Sequence, residues 1–168
     1  MEVRDIALIG ILSATITAGK LALSFLPNIE IVTLLFIVYT VTFGMKRTLM
    51  VSIVFTTIEV FIYGFSTWFL VYYLIWPLLI VLTHHINKRF NSEYGFAVLG
   101  GIFGLTFGIF FAVVESFFYG IMYGISYWVK GIPFDIIHGV SNFILILLLY
   151  KPLTSILGKY SEVDTTSV

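Results

Sequence analysis

Long apolar runs, separated by short polar, Gly or Pro punctuation, make up almost the whole chain. They predict helices over 5–25, 31–44, 48–64, 68–86, 95–119 and 133–157. A helix needs about 20 apolar residues to cross the ~30 Å hydrocarbon core of a bilayer. The pattern therefore predicts an all-α integral membrane protein, a six-helix transmembrane bundle forming one domain over 1–168 with no room for a soluble one. The second run is short for a span, so it is expected to lie nearly upright, to adjoin a buried re-entrant connection, or to be sheltered by its neighbours. KYSEVDTTSV, at 159–168, reads as a polar tail.

Basic residues set the orientation, because Lys and Arg accumulate on the cytoplasmic side of membrane helices. With the N-terminus inside, Arg4, Lys46, Arg47, Lys88, Arg89, Lys151 and Lys159 all fall on the cytoplasmic side, and only Lys20 and Lys130 fall outside. Both termini are thus expected in the cytoplasm.

Composition agrees with a membrane reading. The chain is 60% hydrophobic and 11% charged with a mean hydropathy of +1.06, against about 25% charged residues in soluble domains. Its formal net charge is zero and it has no basic tail, so nucleic-acid binding is not expected. Without cysteine, disulfides, thiolate metal sites and thiol catalysis are excluded. The first run follows Glu2, Arg4 and Asp5 and shows no small-residue cleavage site, so it reads as a retained helix.

Small residues four apart let helices approach closely in lipid. Gly10, Ala14, Ala18 and Ala22 form one such stripe, with Ala7 near it, and Gly100, Gly104 and Gly108 form another. The glycine stripe is expected to be an internal seam. The alanine stripe is either a second seam or an outward face that docks a partner subunit.

Charges inside a bilayer cost about 2.5–3.5 kcal/mol each on insertion scales and call for a partner or a task. At ~1.5 Å per residue, Lys20 lies about 22 Å up the first helix, Glu59 about 17 Å up the third and Glu115 about 30 Å up the fifth. Asp135, His138 and Asn142 occupy the outer turns of the sixth helix, while Asn28 and Glu30 lie in the outer connection between the first two. Tyr63, Trp68, Tyr72, Tyr73, Trp76, Phe117, Tyr119, Tyr123, Tyr127 and Trp128 accompany them. Convergent polar groups in an aromatic wall describe a small-molecule pocket. Its candidate substrate-binding residues are Lys20, Asn28, Glu30, Glu59, Trp68, Tyr72, Glu115, Asp135, His138 and Asn142. Plainer roles are open to each: aromatics belong in interfacial belts, Glu59 can simply neutralise Lys20, Asp135 after Pro133 suits a helix N-cap, and Asn142 can bond His138. The outer set holds two more negative than positive charges, which favours a neutral or cationic ligand.

Catalytic and metal readings find little support. Asp135 and His138 share a helical face, but no second pair and no His-Glu-x-x-His accompany them. Adjacent His84 and His85 point in different directions on a helix. No nucleophile elbow is present, and Gly19-Lys20 is followed by leucine inside a membrane helix, so the chain has no phosphate-binding loop and any ATP-driven step needs another protein.

The length, the six-helix pattern, the stripe from Ala7 through Gly10 and Ala14, and the stretch GIPFDIIHGVSNFILILLLYKPL at 131–153 resemble the S components of energy-coupling factor (ECF) vitamin transporters in prokaryotes. That resemblance covers nearly the full chain. It implies a non-catalytic, multi-pass subunit of the prokaryotic plasma membrane that captures a vitamin or related micronutrient at the extracellular side. Its implied partners are a membrane T component and two ABC-type ATPases, which use ATP and Mg; this chain itself holds no cofactor. The resemblance further implies that Ala7, Gly10, Ala14 and Ala18 are docking residues, although glycine stands where the family usually has alanine. It names no ligand; the excess of negative charge in the outer set leaves cobalamin-type, thiamin-precursor and pyridoxine-type compounds open. Alternative readings of the same pattern are an MreD-like structural scaffold subunit and a stand-alone small-molecule carrier.

Overall fold

The computed structural model describes residues 2–89 and 92–165, with side chains to Lys159. The described residues are helical and contain no strand. The order is α1 (Val3–Ala22), α2 (Val32–Phe43), α3 (Met45–Tyr63), α4 (Trp68–Asn87), α5 (Glu93–Leu105), α6 (Phe107–Tyr119) and α7 (Ile121–Thr165). By length and composition, α1, α4, the α5–α6 pair and α7 can each cross a membrane, while α2 is apolar but short.

Every residue of α2 from Val32 to Thr40 is buried, as expected of a helix that is apolar all round. It stands at the centre, packed against α7, α4 and α3. Neighbours therefore shelter the short second run; in the connection before it, residues 24–27 are exposed and 28–31 half-buried, so it is not a buried re-entrant segment. Arg47 on α3 pairs with Asp5 on α1 at 2.9 Å, and Lys151 on α7 pairs with Glu93 on α5 at 2.6 Å. These pairs mark the end of the bundle, here called lower, at which α1, α3 and α5 begin. At the upper end, the Thr67 hydroxyl ties the α3–α4 turn to Glu115 on α6.

The fifth and sixth predicted helices need correction. Run 95–119 is broken at Thr106, whose hydroxyl donates to the carbonyls of Ile102 (3.0 Å) and Phe103 (3.2 Å). Such back-bonding competes with the helical ladder. The last helix starts at Ile121 and not at 133. Pro133 and Gly131 look like a helix start, yet an interior proline is tolerated where neighbouring helices re-satisfy the backbone. Residues 121–132, expected as part of a loop, are thus α7's first three turns, and the turn from α6 is made at Gly120, whose φ of 91° only glycine adopts freely. At the other end, α7 continues through the expected polar tail to Thr165, since 159–165 holds neither Gly nor Pro; residues 166–168 lie outside those described.

The glycine stripe is a seam between α5–α6 and α7. A Cβ on Gly104 would lie 2.7 Å from the Gly139 nitrogen and 2.8 Å from its Cα, so the two backbones touch. On α1, by contrast, Ala7, Gly10, Ala14 and Ala18 are all exposed, and a Cβ on Gly10 would meet nothing within 4 Å. The alanine stripe therefore faces away from the bundle.

Candidate functional site

A cavity follows from the length of α2. With 12 residues against the 19 of α3, and both meeting at Gly44, it stops about 10 Å short of the upper end of α3 at ~1.5 Å per residue. Above its N-terminus two lobes open, of about 460 and 450 Å³, which meet at Asn28 and Phe111. Both are within the usual size for small-molecule sites. Phe36, Phe55, Trp76 and Phe103 close the bundle beneath, with Trp76 5.2 Å from Phe36 and 5.8 Å from Phe103 between ring centroids.

The first lobe is lined by Lys20, the 23–30 connection, Tyr63, Trp68, Tyr72 and Phe111. Lys20 Nζ is bonded to Glu59 Oε2, and Glu59 is fully buried behind it. The same ammonium lies 4.7 Å from the Tyr63 ring centre and 5.3 Å from that of Tyr72, a cation–π arrangement. Lys20 thus faces the lobe and Glu59 holds its charge from within the wall.

Glu30 fastens the 23–31 connection to the bundle. Its Oε2 accepts the Thr33 backbone N–H at 2.9 Å, capping α2, and its Oε1 lies 3.1 Å from His138 Nε2. A carboxylate only accepts, so Nε2 carries the proton. One turn along α7, Ser141 donates to the carbonyl of Asn28 at 3.1 Å. Burial pushes the Glu30 carboxyl upward, but the His138 bond and charge together with the Thr33 bonds outweigh it and lower its pKa below the ordinary 4.5. A lowered folded-state pKa stabilises the protein above the unfolded value, and that gain is lost as pH falls through the folded one. Glu30→Gln is therefore expected to flatten the acid limb of stability below about pH 4.3, read as thermal midpoint against pH. An unchanged acid limb would show that Glu30 is not a linked group.

The second lobe is lined by Asn28, Phe107, Gly108, Phe111, Tyr127, Lys130, Phe134 and Asp135. The break at Thr106 starts α6 afresh and leaves the Gly108 N–H outside the ladder. Asp135 Oδ1 accepts it at 3.0 Å, so a mid-helix aspartate of α7 caps α6 rather than its own helix. Any Cβ on residue 108 would collide with that carboxylate; the last glycine of the stripe admits Asp135. Oδ2 of Asp135 has no hydrogen-bond partner among the described residues.

Of the ten residues singled out in the sequence, Lys20, Asn28, Glu30, Trp68, Tyr72 and Asp135 line the lobes. His138 is buried next to them, its ring 4.7 Å from Phe107. Glu59 is inside the wall. Glu115 is buried and bonded to Thr67, and lines neither lobe. Asn142 is buried with both amide atoms unpartnered among the described residues, so the bond to His138 is not made. Sequence reading missed Phe107, Gly108, Phe111 and Phe134 as lining residues. The signal for the first three was Thr106, a back-bonding residue at the head of an aromatic run. Among the described residues no three His, Asp or Glu side chains gather closely enough to hold a metal ion.

No family model, curated protein or solved structure matches this chain.

Proposed function

We propose that the chain is the substrate-binding subunit of an ECF-type importer, crossing a prokaryotic plasma membrane six times with both termini in the cytoplasm. It captures a vitamin or related micronutrient in the upper cavity, on the extracellular side. A T component and two ABC-type ATPases, using ATP and Mg, drive the uptake. The cavity above the short α2 carries this reading: charged and aromatic groups from α1, α4, α6, α7 and the 23–31 connection line it. A structural scaffold has no use for such a space. The outward stripe of Ala7, Gly10, Ala14 and Ala18 gives further support, since close-packing residues with nothing of their own chain to pack against suit a helix of another subunit.

Purified protein is expected to bind one member of a vitamin panel without ATP, raising its thermal midpoint in a concentration-dependent way. Ligand at a hundred times its dissociation constant adds about 2.7 kcal/mol of stability by mass action. Co-purification of ATPase and T subunits from the native membrane is expected alongside. Recovery of cell-shape proteins instead, with no shift by any vitamin, would favour the scaffold.

A further inference from the structure

Lys20 reaches the first lobe with hydrogen-bonding capacity to spare. It lines the lobe, its side chain is 24% exposed, and its Nζ stands 4.7 Å from the ring centre of Tyr63 and 5.3 Å from that of Tyr72, two rings that line the same space. An ammonium carries three N–H donors. Glu59 Oε2 takes one and is the only acceptor on Nζ among the described residues. The ring faces attract the cation electrostatically but put no oxygen on the remaining N–H groups. The other acid in the lobe is already engaged: Glu30 holds the Thr33 amide with one oxygen and His138 with the other.

We propose that the first lobe binds an uncharged flat ring system with a carbonyl oxygen at its edge, which accepts from Lys20 Nζ while the ring lies among Tyr63, Trp68, Tyr72 and Phe111. The inference rests on the receptor reading above and specifies its ligand class. The spare N–H groups call for an acceptor. Charge then decides which kind: the Lys20 ammonium is balanced by Glu59, and Glu30 lines the same lobe, so a ligand carboxylate or phosphate finds no net positive field to enter. A carbonyl gains the hydrogen bond without that repulsion. The wall sets the shape. Trp68 and Phe111 stand edge-to-face with Tyr72, at 5.2 and 6.2 Å between ring centres, and Tyr72 is backed by Phe55, a corner whose faces and edges suit a flat ring. The argument from net charge is altered accordingly: one held donor in a charge-balanced wall does the selecting, and not a diffuse negative field.

The test is a binding series on the purified full chain in detergent, with riboflavin, lumichrome, nicotinamide, nicotinate, pantothenate, biotin, thiamin, pyridoxine and cobalamin as probes. Binding is expected among the first three. For the tightest of them, the double variant Lys20→Met, Glu59→Met is expected to weaken binding at least about tenfold, the scale of a hydrogen bond to a charged group. Removing both partners leaves no uncompensated carboxylate inside the bundle and keeps the net charge of the wall, so the variant is expected to fold and its loss to report the donor alone. A second measurement changes the ligand and leaves the protein intact: sulfur in place of oxygen, at each carbonyl of the probe in turn, is expected to weaken binding at one position, because sulfur is the weaker acceptor. Equal binding of every such analogue, undiminished binding by the folded double variant, or binding confined to the last six probes overturns the ligand class and leaves the receptor reading standing. Binding of none of the nine overturns both.

Discussion

Replacing Lys20 by methionine is expected to destabilise the protein by about 3–5 kcal/mol, the range found when one partner of a buried ion pair is removed. Glu59 has no exposure to solvent and its Oε1 has no partner among the described residues, so Lys20 carries the charge compensation for the whole carboxylate. Without it the site must hold an uncompensated anion inside the bundle or take up a proton. The double variant Lys20→Met, Glu59→Met is expected to regain most of the loss, because apolar residues of similar volume often replace a buried pair without penalty. Unfolding by denaturant in mild detergent micelles measures both. If the single variant is as stable as the parent, the pair is not a structural requirement. If the double variant is as unstable as the single one, packing and not charge is what Lys20 provides. The pair also fixes the first lobe: Lys20 lies over Tyr63 and Tyr72 because Glu59 pulls its ammonium there.

This pair was legible in the sequence because two charges in apolar runs, at similar heights on helices that run the same way, have few other partners. The second helix was legible for a related reason. A short run without a polar face has to be surrounded, and α2 is. What was not legible turns on interactions that composition does not encode. Pro133 marks a helix start in most settings, and only the packing of α7 along α6 keeps residues 121–132 helical. Thr106 looked like one more residue in an apolar run, yet the ladder breaks there and leaves free the amide that Asp135 caps. Asp135 was therefore identified, but as an N-cap of its own helix or a free pocket acid, not as the cap of α6. Glu115 was placed in the pocket by height alone; height does not say what a side chain bonds to, and Glu115 is buried on the Thr67 hydroxyl without lining either lobe. Small-residue stripes carry the same ambiguity. Gly104 and Gly10 look alike in sequence, and only the neighbours distinguish the seam from the outward face.

That distinction gives the second large expected effect. A methyl group at Gly104 meets backbone on the opposite helix, with Gly139 N at 2.7 Å and His138 C at 2.8 Å, so no rotamer change can relieve it and α5 and α7 must separate. Gly104→Ala is expected to cost about 3 kcal/mol, the upper end of ordinary overpacking. Its consequences extend beyond stability. His138 sits at the contact itself, and the Gly108–Asp135 cap lies one turn above, so separating the helices loosens both the Glu30–His138 bond and the orientation of Asp135. Ligand affinity is expected to fall together with the thermal midpoint. Gly10→Leu supplies the opposite result: nothing lies within 4 Å of a Cβ there, so stability and ligand binding are expected to match the parent while partner subunits are no longer recovered with the protein. Parent-like stability in Gly104→Ala would mean that the helices have slack at this crossing and that the cavity wall does not depend on it. Retained partner recovery in Gly10→Leu would move the docking surface off α1. The two substitutions, made at residues of one type in stripes of one spacing, thus separate the face that builds the site from the face available to another subunit.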